Sequence, residues 1–233
     1  MTSLAVRAGW LRHLAIAVTQ QHHRELESAL RPHIPADAVV LDVGAHAGQF
    51  AKLFSGLAPA GVIHAFEPSA YARSVLKPAL ALARARNVRI HPFGLSDTPG
   101  QLTLHTPIKR GGDMGFGIAH LGPPTAGAVD QTVELRTLDG FAKAEDLTRL
   151  DFIKADIEGW EAHMLKGGLE TLRRFYPAIF LEVSQPHLSR AGSSPSHIWD
   201  LLAPLGYSAR RAPHFETVNG FEGDGDYLFV AQR

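Results

Sequence analysis

The sequence predicts an α/β fold in which a mostly parallel sheet carries helices on both faces. From Pro35 onward, short apolar runs alternate with helical stretches, which is typical of strand–helix–strand units. The run Ala38–Val43 is rich in β-branched residues and is followed by glycine, as expected of a central strand that is buried on both faces. The 233 residues suit one domain or one and a half, with a sizeable core.

The predicted elements divide the chain into an N-terminal helical extension, residues 1–34, and a domain over residues 35–233. The extension holds a predicted amphipathic helix, Ala5–Leu30, packed on the domain or on a partner. The predicted strands are Ala38–Val43, Gly61–Glu67, Val88–Gly94, Asp151–Asp156, Ala178–Glu182 and a final antiparallel pair, Tyr207–Arg211 and Tyr227–Gln232. The predicted helices are His46–Leu57, Ser69–Arg86, Glu161–Phe175 and Pro195–Leu205.

One insertion, about residues 101–136, interrupts this alternation. Thr106–Asp130 contains six glycines and three prolines and has no periodicity, whereas the segments on either side alternate. The pattern predicts a hairpin of Leu102–His105 and Thr132–Arg136 with a long flexible tip. Loops of this length inside compact domains are usually functional or disordered.

Composition and charge exclude several classes of function. Lys plus Arg and Asp plus Glu each number 23, so the formal net charge is zero, which argues against a chain that coats nucleic acid or an anionic membrane. The absence of cysteine excludes disulfide scaffolds, thiolate metal sites and a cysteine nucleophile. The apolar run Leu14–Val18 is too short to span a bilayer and lacks a cleavage motif, so we expect a cytoplasmic chain without a membrane partner.

The turn after the first strand carries the clearest functional signal. Asp42 stands at the end of the strand, and Gly44 and Gly48 frame the turn with a G-x-x-x-G spacing. Glycine permits a tight turn and a close approach of a ligand to the main chain. This spacing differs from the G-x-G-x-x-G that seats a pyrophosphate. Asp42 would repel a phosphate, but it can hydrogen-bond a cationic amino group.

A second acidic residue, Glu67, ends the second strand. It lies 25 residues after Asp42, about the length of one strand–helix–strand unit. Its carboxylate can accept two hydrogen bonds from a ribose diol. A site for an amino group and a ribose indicates a nucleoside that carries an amino acid. Asp42, Gly44, Gly48 and Glu67 therefore predict a pocket for S-adenosyl-L-methionine (SAM).

Five successive segments resemble the conserved blocks of FkbM-type methyltransferases, namely VLDVGAHAGQF, HAFEPS, NVRIHPFGLSDTPG, DFIKADIEGWEAHMLKGG and PAIFLEVS. The resemblance covers about Val39–Val183, with a weaker match at Asp226–Val230. The first block alone indicates a class I methyltransferase, and the K-x-D-x-E-G-x-E block, Lys154–Glu161, narrows the resemblance to this family. It implies a Rossmann-like, seven-stranded, mostly parallel sheet with an antiparallel last strand and helices on both faces. It also implies SAM-dependent O-methylation of a hydroxyl on a sugar, small molecule or natural product.

The resemblance also implies which residues bind the cofactor. Asp42, Gly44 and Gly48 match the loop at the methionine end, Glu67 matches the ribose acid, and Asp97 is best placed to accept a bond from the adenine amine. His46 departs from the family pattern, where asparagine is commoner, although a neutral imidazole still donates one hydrogen bond. The full set is Asp42, Gly44, Ala45, His46, Gly48, Phe50, Glu67, Pro68, Gly94, Leu95, Ser96, Asp97 and Asp156.

Three acids at predicted strand ends, Asp156, Glu158 and Glu182, are the candidates for catalysis. Ligands of such sheets bind at the carboxyl ends of the strands. Asp156 and Glu158 are two residues apart, so extended backbone would aim both side chains the same way. Three interpretations stay open: an acid beside the methyl group that orients or deprotonates the acceptor, structural caps, or a divalent cation held by Asp156, Glu182 and His187. We predict no metal.

The histidines and the glycine-rich loop give weaker signals. His13, His22 and His23 are expected to be solvated, and none of the 13 histidines has the spacing of a zinc site. His120, Met114 and Phe116 could reach the acceptor, and Met114 and Phe116 could close over it. Lys109 and Arg110 are the candidates for contacting an anionic acceptor.

The leading hypothesis is a SAM-dependent O-methyltransferase for a small-molecule or glycan acceptor. The alternatives are a methyltransferase-like binding module that has lost catalysis and, less favoured, an NAD-dependent oxidoreductase. An RNA or protein methyltransferase is disfavoured because no appended RNA-binding module and no N-P-P-Y-like tetrapeptide are present. We expect no nucleic-acid partner. A homodimer through the N-terminal helix is the one self-association that the sequence suggests.

Overall fold

The computed structural model describes residues 4–108, 115, 119–121 and 126–232. Within these residues, the strands in chain order are β1 (Val39–Val43), β2 (Val62–Phe66), β3 (Val88–His91), β4 (Gly94–Leu95), β5 (Gly100–Pro107), β6 (His120–Leu121), β7 (Ala128–Arg136), β8 (Phe152–Ala155), β9 (Ala178–Val183), β10 (Tyr207–Arg211), β11 (Glu216–Val218) and β12 (Gly225–Ala231). The helices are α1 (Leu4–Thr19), α2 (Glu27–Leu30), α3 (Gln49–Leu57), α4 (Ala70–Leu82), α5 (Leu138–Ala144), α6 (Glu161–Lys166), α7 (Leu169–Phe175), α8 (Gln185–Arg190) and α9 (Pro195–Leu202).

The described strands form a main sheet in the order β11–β10–β12–β9–β8–β1–β2–β3. Strands β3, β2, β1, β8 and β9 run parallel, whereas β12 is antiparallel to both β9 and β10. The predicted α/β class with its antiparallel last strand is therefore confirmed. The predicted number of seven strands is one short, because the three-residue strand β11 pairs with β10 at the sheet edge. Three residues are too few to show a periodic pattern.

Both faces of the main sheet are buried, as the continuous apolar run of β1 predicts. Leu41 and Val43 enter one hydrophobic cluster with residues of α6, α7 and α9. Val40 enters a second cluster with Phe50 and Phe54 of α3. Successive side chains of a strand point to opposite faces, so Asp42 lies on the same face as Val40, beneath α3.

A smaller sheet in the order β4–β7–β5–β6 packs beside the main one. Strands β5 and β7 form the predicted antiparallel hairpin and are longer than predicted. The predicted strand Val88–Gly94 is two strands, because β3 ends before Pro92, which lacks an amide hydrogen, and Gly94 pairs instead with β7 of the smaller sheet.

Two predicted helices are interrupted. The predicted helix Ala5–Leu30 ends at Thr19, and His23 adopts a left-handed φ of 65°, which no helix accommodates. The predicted helix Glu161–Phe175 breaks into α6 and α7 at Gly167 and Gly168. A Cβ on Gly167 would lie 2.1 Å from the carbonyl oxygen of Ser96, so the glycine allows the loop after β4 to approach closely.

The N-terminal extension packs on the domain through α1 and α4. Trp10 Nε1 donates to Ser74 Oγ over 2.9 Å, and His13 Nδ1 lies 2.9 Å from the hydroxyl oxygen of Tyr71. Leu11, Ile16 and Val18 are exposed, so α1 is less amphipathic than predicted. None of the helices in the described ranges combines the length and the apolar character that crossing a membrane requires. Dimerisation through α1 stays a prediction.

Candidate active site

Two neighbouring pockets open at the carboxyl ends of β1, β2 and β8. Seven residues predicted from the sequence line the first pocket: Gly44, His46, Glu67, Pro68, Gly94, Leu95 and Asp156. The second pocket lies between α1 and the turn after β1, and its wall contains Ala45, Phe50 and Lys154. Gly44, His46 and Asp156 belong to both walls, so the two pockets meet at these residues.

The turn between β1 and α3 is held by hydrogen bonds to the neighbouring strand. The amides of Gly44 and Ala45 both donate to the carbonyl oxygen of Phe66, each over 3.0 Å. Gly44 has a φ of 76°, and a Cβ there would lie 2.0 Å from the carbonyl oxygen of Asp156. Gly48 has a φ of 86° and packs against Leu76 of α4. The protein's own packing thus requires both glycines, in addition to any ligand.

His46 also adopts a left-handed conformation, with a φ of 47°. Asn, Asp and His are the side chains that best tolerate this region, which explains why histidine can stand where the resemblance leads one to expect asparagine. Its backbone amide donates to Glu67 Oε2 over 2.9 Å. The turn after β1 and the tip of β2 are therefore joined.

Glu67 is buried at the tip of β2. Its second oxygen, Oε1, accepts from the Ser69 amide over 2.8 Å. Burial raises the pKa of the Glu67 carboxyl, although the His46 imidazole and the two amide bonds favour its ionised form. Each carboxylate oxygen has a further acceptor site, so Glu67 can still bind a hydroxyl pair in the first pocket.

Asp42 lies beneath the pockets and not in the wall of either. Its side chain is fully buried, and Oδ1 lies 3.4 Å from Nζ of Lys154 on the adjacent strand β8. Burial raises the pKa of Asp42 and the Lys154 ammonium opposes this rise. The ammonium also donates to the carbonyl oxygen of Gly44 over 3.0 Å. In this geometry the cationic amino group that faces Asp42 is that of Lys154.

Lys154 keeps its charge in this buried position. Burial disfavours the ammonium, but the carboxylates of Asp42 and Asp156 outweigh this effect and raise the pKa of the lysine. Its Nζ lies 3.8 Å from Asp156 Oδ2 and 4.9 Å from the ring centroid of Phe50. The lysine thus contacts the buried Asp42 of β1 and also forms part of the wall of the second pocket.

Asp156 is the candidate catalytic acid that reaches the pockets. Burial opposes its ionisation, yet Lys154 and His46 lower the pKa of its carboxyl. Glu182 hydrogen-bonds Asp156, and burial together with the Asp156 charge raises the pKa of Glu182 to about 8. Burial and Asp156 likewise raise the pKa of Asp226, which pairs with Glu182 in the sheet, to about 6. Asp156 is thus the ionised member, and Glu182 supports it from behind.

Glu158 belongs to the wall of neither pocket, and the prediction that extended backbone aims it like Asp156 is wrong. Strand β8 ends at Ala155, and Glu158 has a left-handed φ of 58° instead of an extended one. Its Oε2 lies 3.1 Å from Nδ1 of His187 and 3.7 Å from Arg190. Burial raises the pKa of Glu158 and His187 opposes the rise. Glu158 therefore anchors α8.

Asp156, Glu182 and His187, which the sequence left open as an alternative cation site, are not brought together as one set. His187 contacts Glu158, whereas Glu182 contacts Asp156. Within the described ranges, no three His, Asp or Glu side chains are grouped closely enough to hold a metal ion.

The loop after β4 contributes only in part as predicted. Gly94 and Leu95 line the first pocket, but Ser96 and Asp97 lie outside its wall. Ser96 Oγ accepts from Trp160 Nε1 over 3.0 Å. Asp97 forms an ion pair of 3.1 Å with Lys166; burial would raise the pKa of Asp97, but Lys166 and His163 lower it. Contact of Asp97 with an adenine stays a prediction that this arrangement does not favour.

Sequence reasoning missed most of the wall that closes the first pocket. Trp160 follows Gly159 in the K-x-D-x-E-G-x-E block, and Leu104, Ala119 and Leu121 come from the smaller sheet. His120, predicted to reach an acceptor, does line this pocket. Apart from Trp160, the closing side chains come from the region of a second sheet that no local pattern connects to the first. Lys109, Arg110, Met114 and Phe116 lie outside the described residues.

His13, His22 and His23 are not simply solvated, contrary to the sequence-based expectation. All three line the second pocket, together with His46. The His23 ring stacks on Phe50 with 4.3 Å between centroids. Burial lowers the pKa of His23. The break in the N-terminal helix, which the sequence did not reveal, places His22 and His23 there, whereas His13 belongs to α1 itself.

Comparisons with known proteins agree with this geometry. The model of the Methyltransferase FkbM domain matches residues 42–209. The chain is 28% identical over 218 residues to the 2-O-methyltransferase NoeI of Sinorhizobium fredii, an alignment that covers 87% of this chain and 82% of that protein. It is 29% identical over 179 residues to the methyltransferase sdnD of Sordaria araneosa, covering 66% and 69% of the two chains.

A solved structure shows the same fold. The methyltransferase FkbM from Methylobacillus flagellatus superposes with a TM-score of 0.52 at 16% identity, over 84% of this chain and 44% of that chain. This chain therefore spans less than half the length of that structural neighbour. The family model covers most of the chain and includes both the glycine turn and Asp156. The protein is a methyltransferase and belongs to the FkbM family.

Proposed function

We propose that the protein transfers a methyl group from SAM to a hydroxyl oxygen of a small-molecule, natural-product or sugar acceptor. The observation that carries this proposal is the first pocket, where three adjacent strand ends bring together the Gly44 turn, the Glu67 carboxylate and Asp156. Ligands of doubly wound sheets bind at these ends.

The side chains present fit SAM. Glu67 has acceptor sites left for a ribose diol, and Pro68, Gly94 and Leu95 continue the same wall toward a base. The Gly44–Gly48 turn brings main chain close to a ligand at the methionine end. We assign Asp42 an indirect role: it holds Lys154, which in turn holds the Gly44 carbonyl.

When bound, SAM supplies an electrophilic methyl group, so that the acceptor oxygen forms the new C–O bond as the C–S bond breaks and sulfur retains the electron pair. Asp156 is the protein group that would receive the acceptor hydroxyl. It lies where both pockets meet, and its lowered pKa keeps it ionised as a hydrogen-bond acceptor. We propose that Asp156 orients the hydroxyl and takes up its proton.

The type of acceptor rests on two supports. One relative is named a 2-O-methyltransferase, which says that it methylates oxygen. The walls of both pockets are uncharged apart from Glu67, Lys154, Asp156 and the histidines, so these two walls offer no cluster of lysines and arginines for a nucleic-acid backbone. A small hydroxylated acceptor is consistent with both.

Calorimetric titration with S-adenosylhomocysteine tests the cofactor assignment. We expect saturable binding by the parent chain, no binding of NAD, and no effect of EDTA. Glu67→Gln should weaken S-adenosylhomocysteine binding about ten- to hundredfold, because a charged hydrogen bond contributes about 1.5–3 kcal/mol. The matched control is Glu134→Gln, which alters an acid on β7 outside both pockets. Unchanged affinity in Glu67→Gln, or tighter binding of NAD than of S-adenosylhomocysteine, would contradict the proposal.

A further inference from the structure

The second pocket has a wall that comes from the N-terminal segment. Its His13, His22 and His23 face the turn after β1 and Phe50 of α3. Sequence blocks of the methyltransferase domain provide the opposite wall with His46, Lys154 and Asp156. The cofactor assignment above needs only the first pocket and the turn that both pockets share, so the function of this wall is left open.

Specific hydrogen bonds fix the N-terminal segment in this place. Gln21 Nε2 donates to the Gln49 carbonyl oxygen over 2.9 Å, and the His22 amide donates to Gln49 Oε1 over 3.3 Å. Lys52 Nζ donates to the carbonyl oxygen of Ala17 over 2.5 Å, near the end of α1. Since cations stabilise the carboxyl ends of helices, Lys52 ties this end of α1 to α3. The wall is therefore part of the folded domain.

The chemistry of the wall suits an uncharged polyol. The one ammonium of this wall, Lys154, lies 3.8 Å from Asp156 and 3.4 Å from Asp42 beneath the wall, so the wall offers an anionic ligand no unpaired positive charge. Imidazoles supply both donors and acceptors, the combination that sugar hydroxyls require. The His23 ring, stacked on the buried Phe50, adds an aromatic surface on which the apolar face of a sugar ring can pack. An apolar surface with a few convergent polar groups is typical of small-molecule sites.

The position of the second pocket relates it to methyl transfer. Gly44, His46 and Asp156 form the boundary between the two pockets. A hydroxyl of a molecule in the second pocket would meet Asp156 at this boundary, on the opposite side from Glu67.

We propose that the second pocket is the acceptor site, that its occupant is an uncharged sugar ring, and that His22 and His23 of the N-terminal segment determine which acceptor binds. This inference rests on the proposed function. The N-terminal segment then acts as a specificity element of the enzyme in addition to covering α4.

Nuclear magnetic resonance of the histidine side chains tests the location directly. The full chain, labelled with ¹⁵N-histidine and saturated with S-adenosylhomocysteine, is titrated with the methyl glycosides of glucose, galactose, mannose and xylose. We expect at least one glycoside to shift the His22 and His23 imidazole signals saturably, while the signal of His214, which lies outside both pockets, stays constant. Absence of saturable shifts with all four glycosides would overturn the proposal.

Two variants separate acceptor binding from cofactor binding. His23→Asn keeps a residue that tolerates a left-handed φ but removes the ring, and His22→Ala changes an exposed side chain of the same wall. With the best-bound glycoside as acceptor, we expect each to raise KM at least about fivefold, the loss of roughly one neutral hydrogen bond or ring contact. The affinity for S-adenosylhomocysteine should be unchanged, and His214→Asn should match the parent in both measurements.

The outcomes distinguish this proposal from the proposed function. If His22→Ala and His23→Asn weaken S-adenosylhomocysteine binding as much as they raise KM, the second pocket belongs to the cofactor and the acceptor assignment is wrong. If both variants leave KM unchanged, the wall does not select the acceptor, and the assignment is also wrong. If the parent chain binds no S-adenosylhomocysteine, the proposed function fails first, and this inference fails with it.

Discussion

Lys154 is a cation buried against two carboxylates, and its removal should show how much the fold depends on it. We expect Lys154→Met to lower the free energy of unfolding by about 3–5 kcal/mol, because Asp42 would keep a buried and uncompensated charge. Urea denaturation measures the loss. The double variant Asp42→Asn/Lys154→Met removes both charges and should recover much of the stability.

Lys166→Met is the matched control for this prediction. Lys166 is an exposed lysine that pairs with Asp97, and exposed pairs contribute at most about 1 kcal/mol. Equal destabilisation by Lys154→Met and Lys166→Met would contradict a structural role for the buried pair.

Asp156→Asn should lower kcat by about a hundredfold, because the amide retains the size of the side chain but cannot take up a proton. The affinity for S-adenosylhomocysteine should change only a few-fold, since Glu67 and the Gly44 turn remain. Single-turnover kinetics and calorimetry measure the two quantities separately. Asp200→Asn, which changes an exposed acid of α9 outside both pocket walls, is the control, and a parallel loss of affinity and kcat in Asp156→Asn would contradict the assigned role.

At the residue scale, the sequence could predict the site where chain order decides position. Gly44 and Glu67 reach the first pocket as predicted because consecutive parallel strands end at the same sheet edge, whereas Asp42, predicted to bind the amino group of the ligand, lies beneath the pockets and faces Lys154. Glu158 was misassigned because its left-handed φ depends on the contact between Gly159 and α8, which no local pattern encodes. The sequence does not show that Lys166 approaches Asp97, because this contact depends on the bend at Gly167. Asp97 was therefore assigned to the ligand.

At the element scale, the ends of β8, β9 and β12 place Asp156, Glu182 and Asp226 side by side. The pKa of Glu182 is about 8 and that of Asp226 is about 6, and both lie above the pKa values that the same groups have in an unfolded chain. At a pH between the unfolded and the folded pKa of each group, the folded state therefore binds more protons than the unfolded state. The contribution of Glu182 and Asp226 to stability should therefore fall as the pH rises from about 5 to about 8, by about 1–2 kcal/mol after allowance for solvent screening.

Urea denaturation at both pH values checks this prediction. Glu182→Gln, which stays neutral and can still donate to Asp156, should flatten the pH dependence. Glu170→Gln changes an exposed acid and should leave the slope as in the parent. A slope in Glu182→Gln as steep as that of the parent would contradict the assignment of the proton to Glu182.

Helices and strands were predictable where the apolar residues that define their sequence pattern are all buried. β1 and α3 matched closely because their apolar spacing reflects packing on the sheet. The predicted N-terminal helix Ala5–Leu30 was too long. Histidine is not a residue type that marks a helix end, so His22 and His23 gave no sign that the chain turns there. Short elements such as α8 and β11 are fixed by their contacts with neighbouring segments.

At the scale of the whole molecule, charge balance should control solubility. The formal net charge is zero with a sequence pI of about 7.3, and 13 histidines gain charge below neutrality. We expect the lowest solubility near neutral pH and a rise toward about pH 6, because net charge keeps proteins apart. Precipitation with polyethylene glycol across this range measures it. A solubility maximum near neutral pH would contradict the prediction.

Strand β12 lies between β9 and β10, although it follows both along the chain. During synthesis, β10 cannot join the sheet until residues 225–231 have left the ribosome, because among the described strands only β12 links it to the parallel ones. A nascent chain that stalls before this point would expose an open sheet edge, the kind of edge that promotes aggregation. Folding of this enzyme is thus completed by a late insertion, and an early stop codon there would be more damaging than its distance from Asp156 suggests.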